Sequence, residues 1–320
     1  TDAPVEGGKI ILMKKIFIIA AFILTGWALI SYSPTQTEFV EAKIISSPDE
    51  LPETLAHQKI IFYNVQEKTA QITTLDKKET SFLYLPGNDF SLSPNNKYLI
   101  YSAFDEIKII NLETTDEETL VSIQKDFPNS LRVNVPSFTR ETTRVIFQVD
   151  ITNTEFDLAT IDINDKNIER LNVEGFNTRP KFSPNENFIL TICEGKEAPG
   201  FNICLIDANT RKREHLTDIE AYHWAWFSPN GDKIVFTRLK TRFIGKNTAG
   251  LYTMDIDGTD ETLLLNWYVS IMGFSEDGNS VIFRRAAEDD SYGGIYAINL
   301  DGKKLLHLAY FDDDFLTEWQ

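Results

Sequence analysis

The chain repeats one short phrase at nearly constant intervals, and this repeat constrains its fold more than any other feature. Aligned on a Ser or Thr, the phrase occurs five times, at Ser93, Thr139, Ser183, Ser228 and Ser275. The intervals between these residues are 46, 44, 45 and 47 residues. A constant period of about 20–50 residues is the signature of solenoids and propellers. Each repeat is therefore one unit that buries its hydrophobic face by stacking on its neighbours.

Each repeat contains the pattern of four short β-strands. The copy FSPNGDKIVF, at Phe227–Phe236, begins with Pro and Asn-Gly, which favour a tight turn, and continues as a β-rich run. A variable loop and a second strand such as LYTMDID follow, and an acidic turn then leads to a third strand such as ETLLL. Another turn leads into the apolar strand that carries the next Phe-Ser. The sequence therefore predicts an all-β fold with four antiparallel strands per unit.

The two ends of the repeat region complement each other. KIIFYN, at 59–64, corresponds to the strand after the turn, but its own Phe-Ser strand is missing. Counting 45 residues from Ser275 leads to Gln320, so Trp319 occupies the Phe position of a sixth copy. The two ends together complete one blade, which closes a ring and removes exposed sheet edges. We therefore predict a six-bladed β-propeller over residues 59–320, closed by a shared N- and C-terminal blade.

FSPNGDKIVF followed by LYTMDIDG resembles the WD-repeat-like units of the TolB-type β-propeller family, over about residues 59–320. The resemblance implies the fold, whereas propellers of this kind serve many roles. The periplasmic protein after which the family is named carries an α/β domain before its propeller. Residues 34–58 are too short for that domain, so we expect this chain to be a different protein. The third unit also departs from the pattern, because Thr139–Thr142 replace Ser-Pro-Asn-Gly.

The N-terminal region has the charge-then-apolar layout of an export signal. Met13 is followed by two lysines and by an apolar run at Ile16–Ile30. We expect residues 13–33 to form a hydrophobic helix that serves as a signal peptide or signal anchor. A helix over residues 16–32 is roughly 25 Å long, close to the ~30 Å hydrocarbon core of a bilayer. A cleaved signal and a retained inner-membrane anchor therefore both remain open.

The segments on either side of the hydrophobic run complete the predicted organisation. Residues 1–12 precede Met13 and are interpreted as an upstream or artificial extension. Residues 34–58 are polar and contain three prolines, as expected of a linker with a short helical turn near Leu51–His57. Because positive charges stay on the cytoplasmic side, the propeller is expected to be periplasmic or extracytoplasmic.

The charge of the chain excludes one class of partner. Its 48 acidic and 31 basic residues give a net charge of −17. Such a surface repels phosphate backbones, so we expect no nucleic-acid partner. The expected partners are a protein or peptide in the cell envelope and the membrane itself, through the N-terminal segment. We expect the propeller to be monomeric.

The motifs of catalysis are missing from the sequence. The four histidines, His57, His215, His223 and His307, form no i, i+4 pair, and no HExxH is present. There is also no G-x-S-x-G elbow, Walker motif or dinucleotide glycine pattern. We therefore expect no cofactor, metal or catalytic residue, and a role as a protein- or peptide-binding platform. The alternative is a small-ligand or oligosaccharide-binding propeller, or a lyase- or hydrolase-type enzyme, that uses the central channel mouth.

The candidate binding residues come just before each Phe-Ser. They belong to the innermost strands, where the blades of a propeller converge on the channel mouth. The set consists of Asp89, Asn134, Arg179, His223, Trp224 and Met272. The basic loop Leu239–Gly250 is a second possible recognition element, although a solvated loop has the same composition.

Two cysteines, Cys193 and Cys204, fall on neighbouring antiparallel strands of the fourth blade. A disulfide requires Cα atoms roughly 4.4–6.8 Å apart, and export favours its formation. Cys204 aligns with Tyr252 and Tyr296 of other blades, so a packed, unbonded cysteine is equally compatible with the sequence.

Overall fold

The computed structural model describes residues 42–44, 51–57, 59–64, 67–75, 80–195, 200–217, 221–239, 249–267, 269–275, 277–285, 293–310 and 316–317. The predicted export segment and its hydrophobic helix, within 1–41, lie outside these residues. Across the described ranges, no helix has both the length and the apolar character needed to cross a membrane.

The described secondary structure is almost entirely β. In chain order, the strands are β1 (Ala42–Ile44), β2 (Lys59–Asn64), β3 (Thr69–Thr74), β4 (Thr80–Tyr84), β5 (Asn88–Leu92), β6 (Tyr98–Ala103), β7 (Glu106–Asn111), β8 (Glu117–Ser122), β9 (Arg132–Phe138), β10 (Arg144–Asp150), β11 (Phe156–Asp162), β12 (Ile168–Arg170), β13 (Asn177–Phe182), β14 (Phe188–Glu194), β15 (Phe201–Asp207), β16 (Arg213–His215), β17 (Ala221–Phe227), β18 (Lys233–Leu239), β19 (Gly250–Asp255), β20 (Thr262–Leu265), β21 (Ser270–Phe274), β22 (Ser280–Arg285), β23 (Gly294–Asn299), β24 (Leu305–Tyr310) and β25 (Leu316–Thr317). Two single-turn helices are described, α1 (Glu53–Ala56) and α2 (Ile123–Asp126).

These strands form six sheets. Sheet 1 has the order β25-β2-β3-β4, and sheets 2 to 5 are β5–β8, β9–β12, β13–β16 and β17–β20. Sheet 6 contains β21–β24 and, at its outer edge, β1. Five sheets therefore have the predicted four antiparallel strands, and the prediction is wrong for sheet 6. There β1 pairs in parallel with β24, Ala42 opposite Leu305, and covers an edge that would otherwise expose unpaired backbone groups.

Part of the predicted linker, residues 34–58, folds with the propeller. It contains β1 and also α1, which lies within the predicted helical turn. Leu55 of α1 is only 2% exposed and packs in the same apolar cluster as Leu306 and Leu308 of β24. Burial of such a side chain stabilises the fold by about 1.5–3 kcal/mol, which explains why this segment is not a free tether.

The core consists of six apolar clusters, each between two successive sheets. Five of them join sheet 1 to 2, 2 to 3, 3 to 4, 4 to 5 and 5 to 6. The sixth contains side chains of sheet 6 together with Leu75, the residue after β3 of sheet 1. The two ends of the chain also pair as expected, with Leu316 of β25 opposite Tyr63 of β2. Trp319 lies outside the described residues.

The repeated phrase forms the same turn in all five copies. In the fourth copy, Ser228 Oγ accepts a hydrogen bond from the Lys233 backbone N–H at 2.9 Å, and its own N–H donates to the Lys233 carbonyl at 2.8 Å. Gly231, three residues after the Ser, has a φ of 78°, which favours glycine. The equivalent positions in the other copies also have positive φ; they are Asn96, Thr142, Glu186 and Gly278.

The divergent turn of sheet 3 keeps this geometry and adds a contact across the ring. Thr139 Oγ1 accepts from the Arg144 backbone N–H at 3.2 Å, as the serines do. Arg140, which replaces proline, donates from Nη1 to the carbonyl oxygen of Pro229 in the turn of sheet 5, at 2.9 Å. The departure from Ser-Pro-Asn-Gly therefore preserves the turn.

Candidate binding site

The two sides of the propeller differ in what they present. In sheets 2 to 6 the first strand ends and the second begins at the Ser or Thr turn, so all five turns lie on one side, the turn face. The opposite side, the mouth face, carries the connections from second to third strands and the links between sheets. The first strands β5, β9, β13, β17 and β21 lie side by side around the centre. Residues near the start of these strands are therefore at the central opening of the mouth face.

A β-bulge interrupts each of these five first strands. In β5 the bulge is at Asp89, with φ of 47°, and in β13 at Arg179, with φ of 55°. Residues other than glycine rarely adopt positive φ, and bulges redirect side chains away from the regular strand pattern. The fold thus gives each of these five sheets an irregular stretch in its first strand.

Asp150, the last residue of β10, is the centre of a polar cluster at this opening. Its side chain is buried, with the residue 2% exposed. Its carboxylate accepts hydrogen bonds from Arg132 Nε, from Asn134 Nδ2 at 3.4 Å and from Gln148 Nε2 at 2.6 Å. A buried carboxylate requires such donors, because desolvation strongly disfavours an unpaired charge.

The same contacts leave two buried acceptors unused. A carboxylate can only accept, so Asp150 fixes the amide orientations of Asn134 and Gln148, with their nitrogen atoms towards it. Their oxygens, Asn134 Oδ1 and Gln148 Oε1, have no hydrogen-bond partner among the described residues. The residues are 8% and 4% exposed. Each such oxygen costs about 1–3 kcal/mol, a cost that a bound N–H or O–H donor removes.

Charges of both signs surround this cluster. The Arg179 guanidinium carbon lies 4.0 Å from the centroid of the Trp224 ring, in a cation–π contact. Burial raises the pKa of Asp89 above its usual range, while the charges of Arg179 and Arg132 oppose this shift. The Asp89 carboxyl is therefore held in a poorly solvated place close to both guanidinium groups.

Four predicted site residues belong to this cluster or contact it: Asp89, Asn134, Arg179 and Trp224. Met272 does not, because it is 1% exposed and packs in the apolar cluster of sheet 6. The His223 side chain and residues 240–248 of the predicted basic loop lie outside the described residues.

Sequence reasoning missed three members of the cluster, Arg132, Gln148 and Asp150. Gln148 is directly opposite Asn134 in the β9–β10 pairing, and Asp150 is opposite Arg132. The predicted antiparallel hairpin could have indicated these residues, because it places the end of each second strand beside the start of the first.

Three exposed apolar side chains lie on the same face as this opening. Phe104 is 87% exposed, Leu131 55% and Phe201 45%. All three lie at connections on the mouth face. Phe104 is between β6 and β7 of sheet 2, Leu131 is in the link from sheet 2 to sheet 3, and Phe201 is at the start of β15 in sheet 4. Phe201 also contacts Phe176, with ring centroids 5.3 Å apart, and Phe176 contacts Phe156 at 4.6 Å. We call Phe104, Leu131 and Phe201 the aromatic rim, after the two phenylalanines; exposed apolar groups of this kind mark interaction surfaces.

A cavity of about 310 Å³ between sheets 3 and 4 is a weaker candidate. Its charged lining residues already pair with one another, Arg144 with Glu186 and Arg211 with Glu169. These pairs satisfy the donors and acceptors that a ligand would otherwise use.

Cys193 and Cys204 form a disulfide, with Cα atoms 5.9 Å apart. This decides between the two alternatives that the sequence left open. In the β14–β15 pairing Cys193 is opposite Asn202, so Cys204 is its diagonal neighbour on the same face of the sheet.

No family model matches the chain. No curated protein matches it either. The solved structures similar to it include TolB from Acinetobacter baumannii, with a TM-score of 0.63 and 17% identity over 81% of this chain and 64% of that one. The chain therefore spans less than two thirds of that structure.

Two further similar structures have the same architecture. A protein assigned as TolB from Agrobacterium tumefaciens has a TM-score of 0.57 and 14% identity, over 79% of this chain and 88% of that one. An oligogalacturonate lyase from Vibrio parahaemolyticus has a TM-score of 0.56 and 12% identity, over 80% of each chain. Identities this low establish the fold and leave the function to be argued from the site. The structural neighbours of this chain are TolB-type β-propellers, and its fold is theirs.

Proposed function

We propose that this chain is an exported, non-catalytic six-bladed propeller that binds a protein partner in the cell envelope through its mouth face. The N-terminal apolar segment, residues 16–32, anchors it in the inner membrane or directs its export. The propeller itself acts as a monomeric platform on the periplasmic or extracytoplasmic side. No nucleic acid takes part, because the net charge is −17.

One observation carries this proposal: the aromatic rim and the polar cluster lie on the same face. Exposed aromatic side chains supply most of the binding energy at protein interfaces, and buried polar groups fix register and specificity. The partner inserts an extended segment at the opening. Its backbone N–H groups donate to Asn134 Oδ1 and Gln148 Oε1, the two buried acceptors that lack donors among the described residues.

A second candidate is an oligosaccharide ligand in the same opening. The specific observation in its favour is the combination of Trp224, stacked by Arg179, with the two amide oxygens. Hydroxyl groups of a sugar donate to such oxygens as readily as peptide N–H groups do. The rim distinguishes the candidates, since a small sugar in the opening does not need exposed residues such as Phe104 and Phe201.

The test is photo-crosslinking in intact cells with a crosslinking amino acid placed at Phe104 or Phe201. Both sites should give the same protein adduct, identified by mass spectrometry. Phe82 is the matched control, because it is an aromatic residue of similar exposure, 66%, on the outer strand β4. We expect little or no adduct from Phe82.

Equal adducts from all three positions, or none above background, would contradict the protein-partner proposal. In that case binding of acidic oligosaccharides to the purified protein, measured by titration calorimetry, tests the second candidate. Heat of binding that is lost in Trp224→Ala would support it.

A further inference from the structure

Four side chains with metal-ligating atoms lie on one face of sheet 4. Cys193 is on β14, Asn202 and Cys204 are on β15, and His215 is on β16. Cys193 is opposite Asn202, and Cys204 is opposite His215. Opposed residues share a face, as do residues two apart on one strand. The pairing therefore brings two sulfurs, one imidazole and one amide together.

The ligand atoms are close to one another. Cys193 Sγ, Cys204 Sγ and one His215 ring nitrogen all lie within 4.8 Å. Cys193 Sγ is 3.9 Å from His215 Nδ1, and Asn202 Nδ2 is 3.2 Å from the same nitrogen. Both cysteines are fully buried. The Cys193 Sγ–His215 Nδ1 distance is of the size found between ligands of one tetrahedral metal ion, roughly 3.5–4 Å given Zn–S and Zn–N bonds near 2.3 and 2.0 Å. The two sulfurs, which are bonded to each other here, reach such a separation only after reduction.

We propose that, when the disulfide is reduced, Cys193, Cys204 and His215 bind a zinc ion. Two thiolates and one imidazole are a donor set that favours zinc over the hard cations. Asn202 Oδ1, which is buried without a hydrogen-bond partner among the described residues, lies beside the group and supplies or orients a fourth ligand. The disulfide and the metal are thus alternative states of one site.

The conversion between these states is a thiol–disulfide exchange. A dithiol reductant gives two electrons and two protons to the Cys193–Cys204 bond, which breaks into two thiols while the reductant becomes a disulfide. Zinc then displaces both thiol protons, so binding releases two protons and strengthens as pH rises. Metal occupancy therefore requires a reducing environment. These ligands lie at the mouth-face ends of their strands, with Asn202 next to Phe201, but they are not the residues proposed to contact the partner.

The experiment compares oxidised and reduced full-length protein in the presence of zinc alone. Protein reduced with a phosphine, which leaves no competing thiol, should retain one zinc per chain after desalting, and oxidised protein none. In reduced protein, His215→Ala should lower zinc affinity by roughly tenfold or more. His57→Ala is the matched control, because His57 is an exposed residue directly after α1, and it should bind like the unmodified chain.

A second readout identifies the ligands directly. Cobalt in place of zinc should give a sulfur-to-metal charge-transfer band in reduced protein, and this band should be weaker or shifted in His215→Ala. The proposal is overturned if reduced protein retains no zinc, or if the Cys193→Ser, Cys204→Ser double variant retains as much. Should that double variant fail to fold, equal zinc affinity of His215→Ala and unmodified protein overturns it instead.

Discussion

The two faces of the propeller are built from opposite ends of the same strands, yet one is uniform and the other varied. On the turn face, a buried Ser or Thr hydroxyl accepts from the backbone N–H five residues later in all five copies. On the mouth face, the residue four positions before that Ser or Thr differs in every copy. These residues are Asp89, Val135, Arg179, Trp224 and Ile271.

This difference separates what builds the fold from what the fold presents. The turn that recurs in sheets 2 to 6 pairs its own hydroxyl and backbone groups, so these groups are not available to a partner. The mouth face instead combines a buried carboxylate, two acceptors that lack donors among the described residues, and exposed aromatic side chains. Substitutions on the turn face should therefore affect stability alone, whereas some on the mouth face should affect binding alone.

The largest effect is expected from Asp150→Ala. This change removes the acceptor of Arg132, Asn134 and Gln148; the two amides are buried and lose their partner, whereas the exposed Arg132 remains solvated. A buried donor left without its acceptor costs about 1–3 kcal/mol, and this change leaves two. We expect a decrease of at least about 2 kcal/mol in the free energy of unfolding, measured by urea denaturation.

Glu141→Ala is the matched control, since Glu141 is an exposed acidic residue on the turn face. Its effect should be within about 0.5 kcal/mol. If Asp150→Ala is as mild as this control, then the hydrogen bonds of Asp150 do not stabilise the mouth end of sheet 3, and the contrast between the faces weakens.

The fold was readily predicted because its signals are local and repeated. The period of the Ser and Thr turns indicated the sheets, and complementary chain ends indicated the pairing of β2 with β25. β1 was missed because three residues, Ala42–Ile44, carry no periodic pattern, and only the uncovered edge of β24 explains their conformation.

The candidate site was predicted only in part, because it depends on which strands become neighbours. Asp150 lies 16 residues after Asn134 in the sequence, and only the hairpin register brings them together. Met272 lies at the bulge of β21, as Asp89 lies at that of β5, but it packs in the same apolar cluster as Leu55 of α1. Likewise, Cys193, Cys204 and His215 lie at intervals of 11 residues in the sequence. Only the pairing of β14, β15 and β16 brings them together on one face of the sheet.

A smaller effect is expected from Ser228→Ala on the turn face. The hydroxyl is buried and accepts from the Lys233 backbone N–H, which then loses its partner oxygen. A lost bond of this kind costs about 1–2 kcal/mol, so the urea midpoint should fall while crosslinking from Phe104 stays unchanged. A loss of crosslinking in a variant that remains folded would show that the turn face also contributes to binding. Thr253→Ala, at a buried hydroxyl away from the turns, is the comparison for a general loss of stability.

The smallest effect concerns pH and Asp89→Asn. Burial raises the pKa of the Asp89 carboxyl above its ordinary value of 3.8, so the folded state binds this proton more tightly than the unfolded chain. The associated stabilisation is present in acid and is lost as pH rises from 3.8 through the raised pKa. Asparagine removes the titration, so the variant should gain stability relative to unmodified protein over that pH range, and the difference should then stay constant.

We would measure both proteins by urea denaturation between pH 3.5 and about 8, with Glu141→Gln as a control that should show no such trend. A constant difference across the whole range would mean that Asp89 is solvated like a surface carboxylate, and the mouth would then lack the dry, charged character that distinguishes it from the turn face.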